Sequence, residues 1–198
     1  MSIRIRFLAG IVGLLALTGA ASAAPITYIH TGSGSGTLNG VAFGAAAPLS
    51  FTITGIADTA NVLSCGATCI YNDNLSASID IVGLGTFDFV TATRFFDNAT
   101  VIGFSRAGLG GADLFNGVGG PYDLISNFGP VFTTANLLQW SLSPVVTDGG
   151  VLVFNSSSSA ASFQAITRAV AVPEPATWTL LGTALFGVAA KRRRKKAA

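Results

Sequence analysis

Eleven Lys and Arg against nine Asp and Glu leave the 198-residue chain a formal charge of +2. The basic residues crowd the two ends, and residues 24–172 hold only Arg94, Arg106 and Arg168 against eight aspartates, with no Lys and no Glu. A body at −5 excludes nucleic-acid binding, which needs a basic patch to neutralise phosphates, and the missing Lys excludes Schiff-base chemistry there.

At the N-terminus, Arg4 and Arg6 precede an apolar run from Phe7 to Leu17, and small residues end in Ala21-Ser22-Ala23. This layout predicts a secretory signal peptide over residues 1–23, removed by signal peptidase before Ala24. His30 is the single histidine, and no motif around it supplies a nucleophile and an orienting group. Gly32-Ser33-Gly34-Ser35-Gly36 matches the letters of a nucleophile elbow but lacks the strand-to-helix setting. Glycine alternating with serine there reads as a flexible segment.

From residue 49 onward, apolar and polar side chains alternate with period two, the pattern of a half-buried antiparallel strand. It occurs over Leu49–Thr54, over Ser76–Ile81, over Thr86–Val90 and over Leu138–Ser143, where Trp140 falls on the apolar side. Gly83-Leu84-Gly85 and Asp148-Gly149-Gly150 separate apolar runs and predict hairpin loops. Val151–Phe154 is continuously apolar and predicts a strand buried on both faces. Gly108–Pro130 reads as a long loop or cover, Thr134–Leu138 allows a short helix, and Asn155–Ala161 reads as a flexible serine-rich loop. Twelve of the 14 phenylalanines lie between residues 24 and 172, enough to fill a core. Short strands, frequent glycine turns and no βα alternation predict an all-β domain over 24–170, an antiparallel β-sandwich or jelly roll.

Cys65 and Cys69 are the only cysteines, and in an exported chain they predict a local disulfide. They do not predict a metal site, because no further Cys or second His completes a ligand set. Asn72, Asp73, Asn74 and Asp80 supply oxygen atoms suited to calcium, with Asp73 and Asp80 the weak candidates. The EF-hand spacing is absent, and a solvated turn is the favoured reading. Eight aspartates allow a glycosidase-like carboxyl pair, but no spacing singles out two of them. No cofactor is expected.

Toward the C-terminus, Val172-Pro173-Glu174-Pro175 precedes an apolar stretch, Ala176–Ala190, and the basic block Lys191–Lys196. Pro175 suits the first turn of a helix running outward. Fifteen residues at a 1.5 Å rise span about 22 Å, short of a bilayer core of roughly 30 Å, and Trp178 and the snorkelling basic side chains make up part of the deficit. A single membrane-spanning helix over 176–190 is expected, with the basic tail 191–196 in the cytoplasm by the positive-inside rule.

A Pro-Glu-Pro tripeptide, a Trp-containing span and a short Arg/Lys terminus resemble the PEP-CTERM sorting signal of bacterial exported proteins. The resemblance implies recognition of Pro173, Glu174 and Pro175 by an exosortase, a membrane protease-transpeptidase. It also implies removal of the anchor within 171–198 and delivery to the cell surface or extracellular matrix. More loosely, Val101–Arg106 and Asp113–Gly117 resemble the bodies of small proteins that carry this tail, which adds no chemistry. The expected function is a non-enzymatic structural or adhesive matrix component, held transiently in the inner membrane during export. The alternative is a carbohydrate-binding module for exopolysaccharide, and the third reading is a hydrolase.

Overall fold

The computed structural model describes residues 24–108, 112–137, 139–140 and 142–168. The expected signal peptide 1–23 and the tail 171–198, including the span 176–190, lie outside the described residues. Among those described, no helix is long and apolar enough to cross a membrane.

The body is all-β and antiparallel, as the alternation predicts. Its strands are β1 (Pro25–Leu38), β2 (Val41–Phe43), β3 (Leu49–Asp58), β4 (Leu63–Ser64), β5 (Cys69–Asp73), β6 (Ser76–Ile81) and β7 (Gly85–Asp88). They continue as β8 (Thr93–Asn98), β9 (Val101–Arg106), β10 (Asp113–Val118), β11 (Phe128–Leu137), β12 (Val145–Thr147), β13 (Gly150–Ser157) and β14 (Ala160–Thr167).

One layer follows the order β11-β14-β1-β3-β6-β7, with β2, β12 and β13 extending it beside the second half of β1. The other follows β4-β5-β8-β9-β10-β11. Strand β11 joins them, since residues 128–134 pair with β14 and residues 135–137 pair with β10. Register sets which side chains face inward. Phe95, Phe104 and Phe115 stand opposite one another across β8, β9 and β10. They meet Tyr28, Phe51, Phe154 and Phe163 of the other layer, with ring centroids 4.9 Å apart for Tyr28–Phe95 and 5.0 Å for Phe51–Phe115. Burying each of these phenylalanines contributes roughly 1.5–3 kcal/mol, so this aromatic seam holds the two layers together.

The hairpins form where glycine predicts them. Ile81 pairs with Gly85 across β6–β7, and Thr147 pairs with Gly150 across β12–β13. Gly83 and Gly150 adopt φ of +87° and +113°, which side chains with a Cβ rarely take.

Several expectations are corrected. Gln139, Trp140, Leu142 and Ser143 lie in a turn and not in a strand, with the N–H groups of Leu142 and Ser143 both donating to the carbonyl of Gln139. Trp140 is fully buried from that turn and Leu142 is 83 % exposed, the reverse of a shared strand face. Thr134–Leu137 is strand, because pairing with β14 and β10 outweighs a weak local helix preference. The Gly108–Pro130 segment contains β10 and the start of β11. Val151 is 42 % exposed while Leu152 is buried, so β13 alternates instead of burying both faces. The serine run is mostly strand, with β13 reaching Ser157 and β14 starting at Ala160.

The Gly-Ser segment is likewise not a flexible loop. It is the middle of β1, with a bulge between Ser35 and Gly36. A Cβ on Gly32 would lie 2.7 Å from the Phe51 ring, and one on Gly34 would lie 2.6 Å from the Ser156 carbonyl. The glycines are there for close approach, and pairing on both edges of β1 supplies the order their composition lacks.

Candidate ligand cleft

Both ends of the body emerge at one end of the two layers. The N–H of Arg168 donates to the Pro25 carbonyl at 3.1 Å, and Ala24 and Thr59 exchange hydrogen bonds, N–H to carbonyl and N–H to hydroxyl, both at 3.1 Å. At this end a cleft of about 750 Å³ opens between three segments: the 64–70 disulfide loop, the β8–β9 turn and the 121–128 loop. Thr167 donates its N–H to Asn127 Oδ1 at 2.7 Å, between cleft residues Ser126 and Phe128. The chain therefore leaves the body beside the cleft rim.

Cys65 and Cys69 form the expected pair, with sulfurs at bonding distance and Cα atoms 5.0 Å apart. The bridge closes the loop that carries Gly66, Ala67 and Thr68 into the cleft wall. The Thr68 carbonyl accepts from Ala99 N–H at 3.0 Å, which ties this wall to the β8–β9 turn.

The opposite wall is held by its own polar groups. Asp123 Oδ1 accepts from the N–H groups of Ile125 and Ser126 at 2.9 Å, and the Ser126 hydroxyl donates to the same carboxylate at 2.8 Å. Burial raises the Asp123 pKa, but these donors outweigh it and hold the carboxyl below its usual value. The Tyr122 hydroxyl donates to the Ser126 carbonyl at 2.7 Å. Leu124 has φ +59° and is fully buried, and its carbonyl accepts from the Tyr28 hydroxyl at 2.7 Å. A β-carbon residue keeps that left-handed backbone only where its surroundings over-determine it, so this wall is preformed.

Asp97 is the residue that sequence reading missed. It stands between Ile70 and Ile102 in the ladder, on the same side of β8 as Phe95, and is 4 % exposed. Burial raises its pKa, and the N–H groups of Tyr122, at 3.2 Å, and Ala99 offset part of that effect. Among the described residues, no Lys, Arg or His lines the cleft. The signal was available in Phe95-Phe96-Asp97, where a carboxylate occupies the parity of the core.

The calcium candidates do not meet. Asp73 in β5 forms an ion pair with Arg94 at 3.2 Å, and Arg94 also lies 4.3 Å from the Tyr71 ring centroid. Asp80 is in the other layer and accepts from the Thr86 hydroxyl at 2.9 Å. Asn72 is turned inward, its amide donating to the Tyr28 hydroxyl and the Asp58 carbonyl, both at 3.0 Å. Among the described residues, no three of His, Cys, Asp and Glu gather as a metal site. His30 is buried between Phe51 and Phe115 at 6.3 and 5.5 Å, and its Nε2 meets no hydrogen-bond partner among the described residues.

Pro173, Glu174 and Pro175 lie outside the described residues, and similarity speaks for them. Residues 171–194 match the family described as the PEP-CTERM protein-sorting motif. That motif defines a class, the exported proteins sorted through an exosortase. The chain carries the motif itself over these residues. No curated protein and no solved structure shows significant similarity to the chain.

Proposed function

We propose that the chain is inserted across the inner membrane during export and held there by a helix over 176–190, with 191–196 in the cytoplasm. Signal peptidase removes 1–23, and an exosortase acts at Pro173-Glu174-Pro175. The sandwich-like body is then displayed at the cell surface or released into the exopolysaccharide matrix of a biofilm. There it serves as a structural or adhesive component, without catalysing a reaction. The observation that carries the reading is the sorting motif at 171–194. The outer face of the first layer is consistent with adhesion. Ser162, Thr31, Thr52, Asp80 and Thr86 stand in register across five strands, and the Thr31 and Ser162 hydroxyls are 2.6 Å apart. Such a row offers many weak hydrogen bonds to a hydrated polymer, and multivalency turns weak bonds into retention.

Cell fractionation tests the sorting. The wild-type chain is expected to appear shortened, at the surface or in the medium, while a Pro173-Glu174-Pro175 to Ala version stays full-length in the membrane. Identical size and location for the two would sink the reading. The cleft favours a second reading, a carbohydrate-binding module, over a purely structural body.

A further inference from the structure

We propose that the cleft between the 64–70 loop, the β8–β9 turn and the 121–128 loop is a binding site for a neutral glycan chain, with Asp97 the hydrogen-bond acceptor for sugar hydroxyls. This deepens the carbohydrate-binding reading and assigns it a place.

The first argument is the position of Asp97. A carboxylate 4 % exposed, flanked across the ladder by Ile70 and Ile102 and facing no cation among the described residues, is a net cost to the fold. Its known donors are two backbone N–H groups, which leaves acceptor capacity unused, since an ionised carboxyl has about four lone-pair sites. An apolar residue would satisfy the strand better. A group kept at such a cost beside a cleft of this size is a site candidate.

The second argument is the chemistry of the lining. Exposed hydroxyls come from Ser64, Thr68 and Ser126, and an aromatic face comes from half-buried Phe128. Sugars present hydroxyls around their rims and C–H groups on their faces, which suits alternating polar and aromatic walls. The volume lies within the usual range for such sites.

Charge decides the glycan class. Two carboxylates, Asp97 and Asp123, with no cation among the described lining residues, repel uronic acids and sulfated sugars. A cationic ligand would have to leave water to reach Asp97, whose own surroundings already disfavour charge. A neutral hydroxyl avoids both penalties. The walls are tied by the disulfide, the Asp123 turn and the buried Leu124, so little ordering entropy is lost on binding.

Isothermal titration of the full chain, in a sugar-free zwitterionic detergent, provides the test. The probes are gluco-, manno- and galacto-configured neutral hexasaccharides, with hexagalacturonate as the acidic one. At least one neutral hexasaccharide is expected to bind, and hexagalacturonate is not. Ala67→Trp, an exposed position in the wall, is expected to abolish binding with the melting temperature unchanged. Asp97→Asn is expected to weaken it at least fivefold, the difference between a charged and a neutral acceptor. Phe132→Ser, in a separate surface groove, is expected to leave it intact. Binding of no neutral hexasaccharide, preference for hexagalacturonate, or binding that survives Ala67→Trp each overturns the proposal. The Ala67→Trp chain should still be sorted in the fractionation assay, so the cleft and sorting claims fail separately.

Discussion

Arg168 donates its backbone N–H to the Pro25 carbonyl at 3.1 Å, which joins the last described residue of the body to the first residue of its first strand. Strand β1 lies between β14 and β3, pairing with β14 from Ile26 to Thr31 and with β3 from Pro25 to Gly34. The first strand to be exported is therefore completed by one of the last. The sheet cannot close until the residues just before the sorting tail have crossed. Two chain ends, the disulfide loop and the cleft consequently share one end of the domain.

The glycines of β1 are expected to behave as packing residues. Gly34→Ala places a Cβ 2.6 Å from the Ser156 carbonyl and 2.8 Å from the Phe154 ring, and backbone cannot move aside as a flexible side chain can. A loss of about 1–3 kcal/mol is expected from such overpacking. Gly66→Ala, which meets nothing within 4 Å, is the control. Denaturant melts of the two variants check this, and equal stability would return the segment to a flexible linker.

The Cys65–Cys69 bridge closes a very short loop, which limits what it can contribute. Chain entropy gives about 2 kcal/mol for such a loop. Cys65→Ala/Cys69→Ala is expected to lower the melting temperature by roughly 4–8 °C without unfolding the body. Mass spectrometry before and after reduction checks the bond itself, since two freely alkylated thiols would remove it.

His30 makes the fold acid-sensitive. Burial against Phe51 and Phe115 lowers its pKa to about 4, so the folded state binds fewer protons than the unfolded state between pH 6.5 and 4. Its neighbours across the ladder, Ile53 and Phe163, carry no charge that could compensate. The stability this group allows is complete above pH 6.5 and is lost as pH falls toward 4, by roughly 3 kcal/mol. In His30→Leu that slope is expected to vanish, and urea melts at pH 7.5 and 4.5 measure it.

Asp97 has the opposite sign. Its folded pKa is raised, so ionisation costs stability above that value and costs nothing below the unfolded carboxyl pKa. Asp97→Asn is expected to melt higher than wild type at pH 7, with the difference shrinking as pH falls. A variant less stable at pH 7 would mean that the carboxylate is a structural acceptor first. Stability gained while glycan affinity is lost would mark a functional residue.

Where the chain alternates strictly, the strands were legible. Phe51, Ile53, Ala77, Ile79 and Ile81 are all buried on the parity their spacing predicts. The misreadings share a cause. Gly32–Gly36, Asn155–Ser157 and Thr134–Leu137 have loop-like or ambiguous local composition and become strand through partners more than a hundred or some twenty residues away. Trp140 fits an alternating stretch, yet it reaches the core from a turn, with Phe115 at 5.4 Å and Phe154 at 5.0 Å.

By itself, the sequence determined the all-β class, the disulfide spacing and the sorting tail. Each depends on residues close together in the chain: period-two alternation, two cysteines four apart, and Pro-Glu-Pro before an apolar and then a basic stretch. Only the tertiary structure decided the rest. It joined the two layers through β11, ordered the glycine-serine strand by packing it against Phe51 and Phe154, and set Asp97, Tyr122 and the 65–69 loop around one cleft. Those relationships are between residues distant in sequence, and only the pairing register brings them to the same end of the sheets.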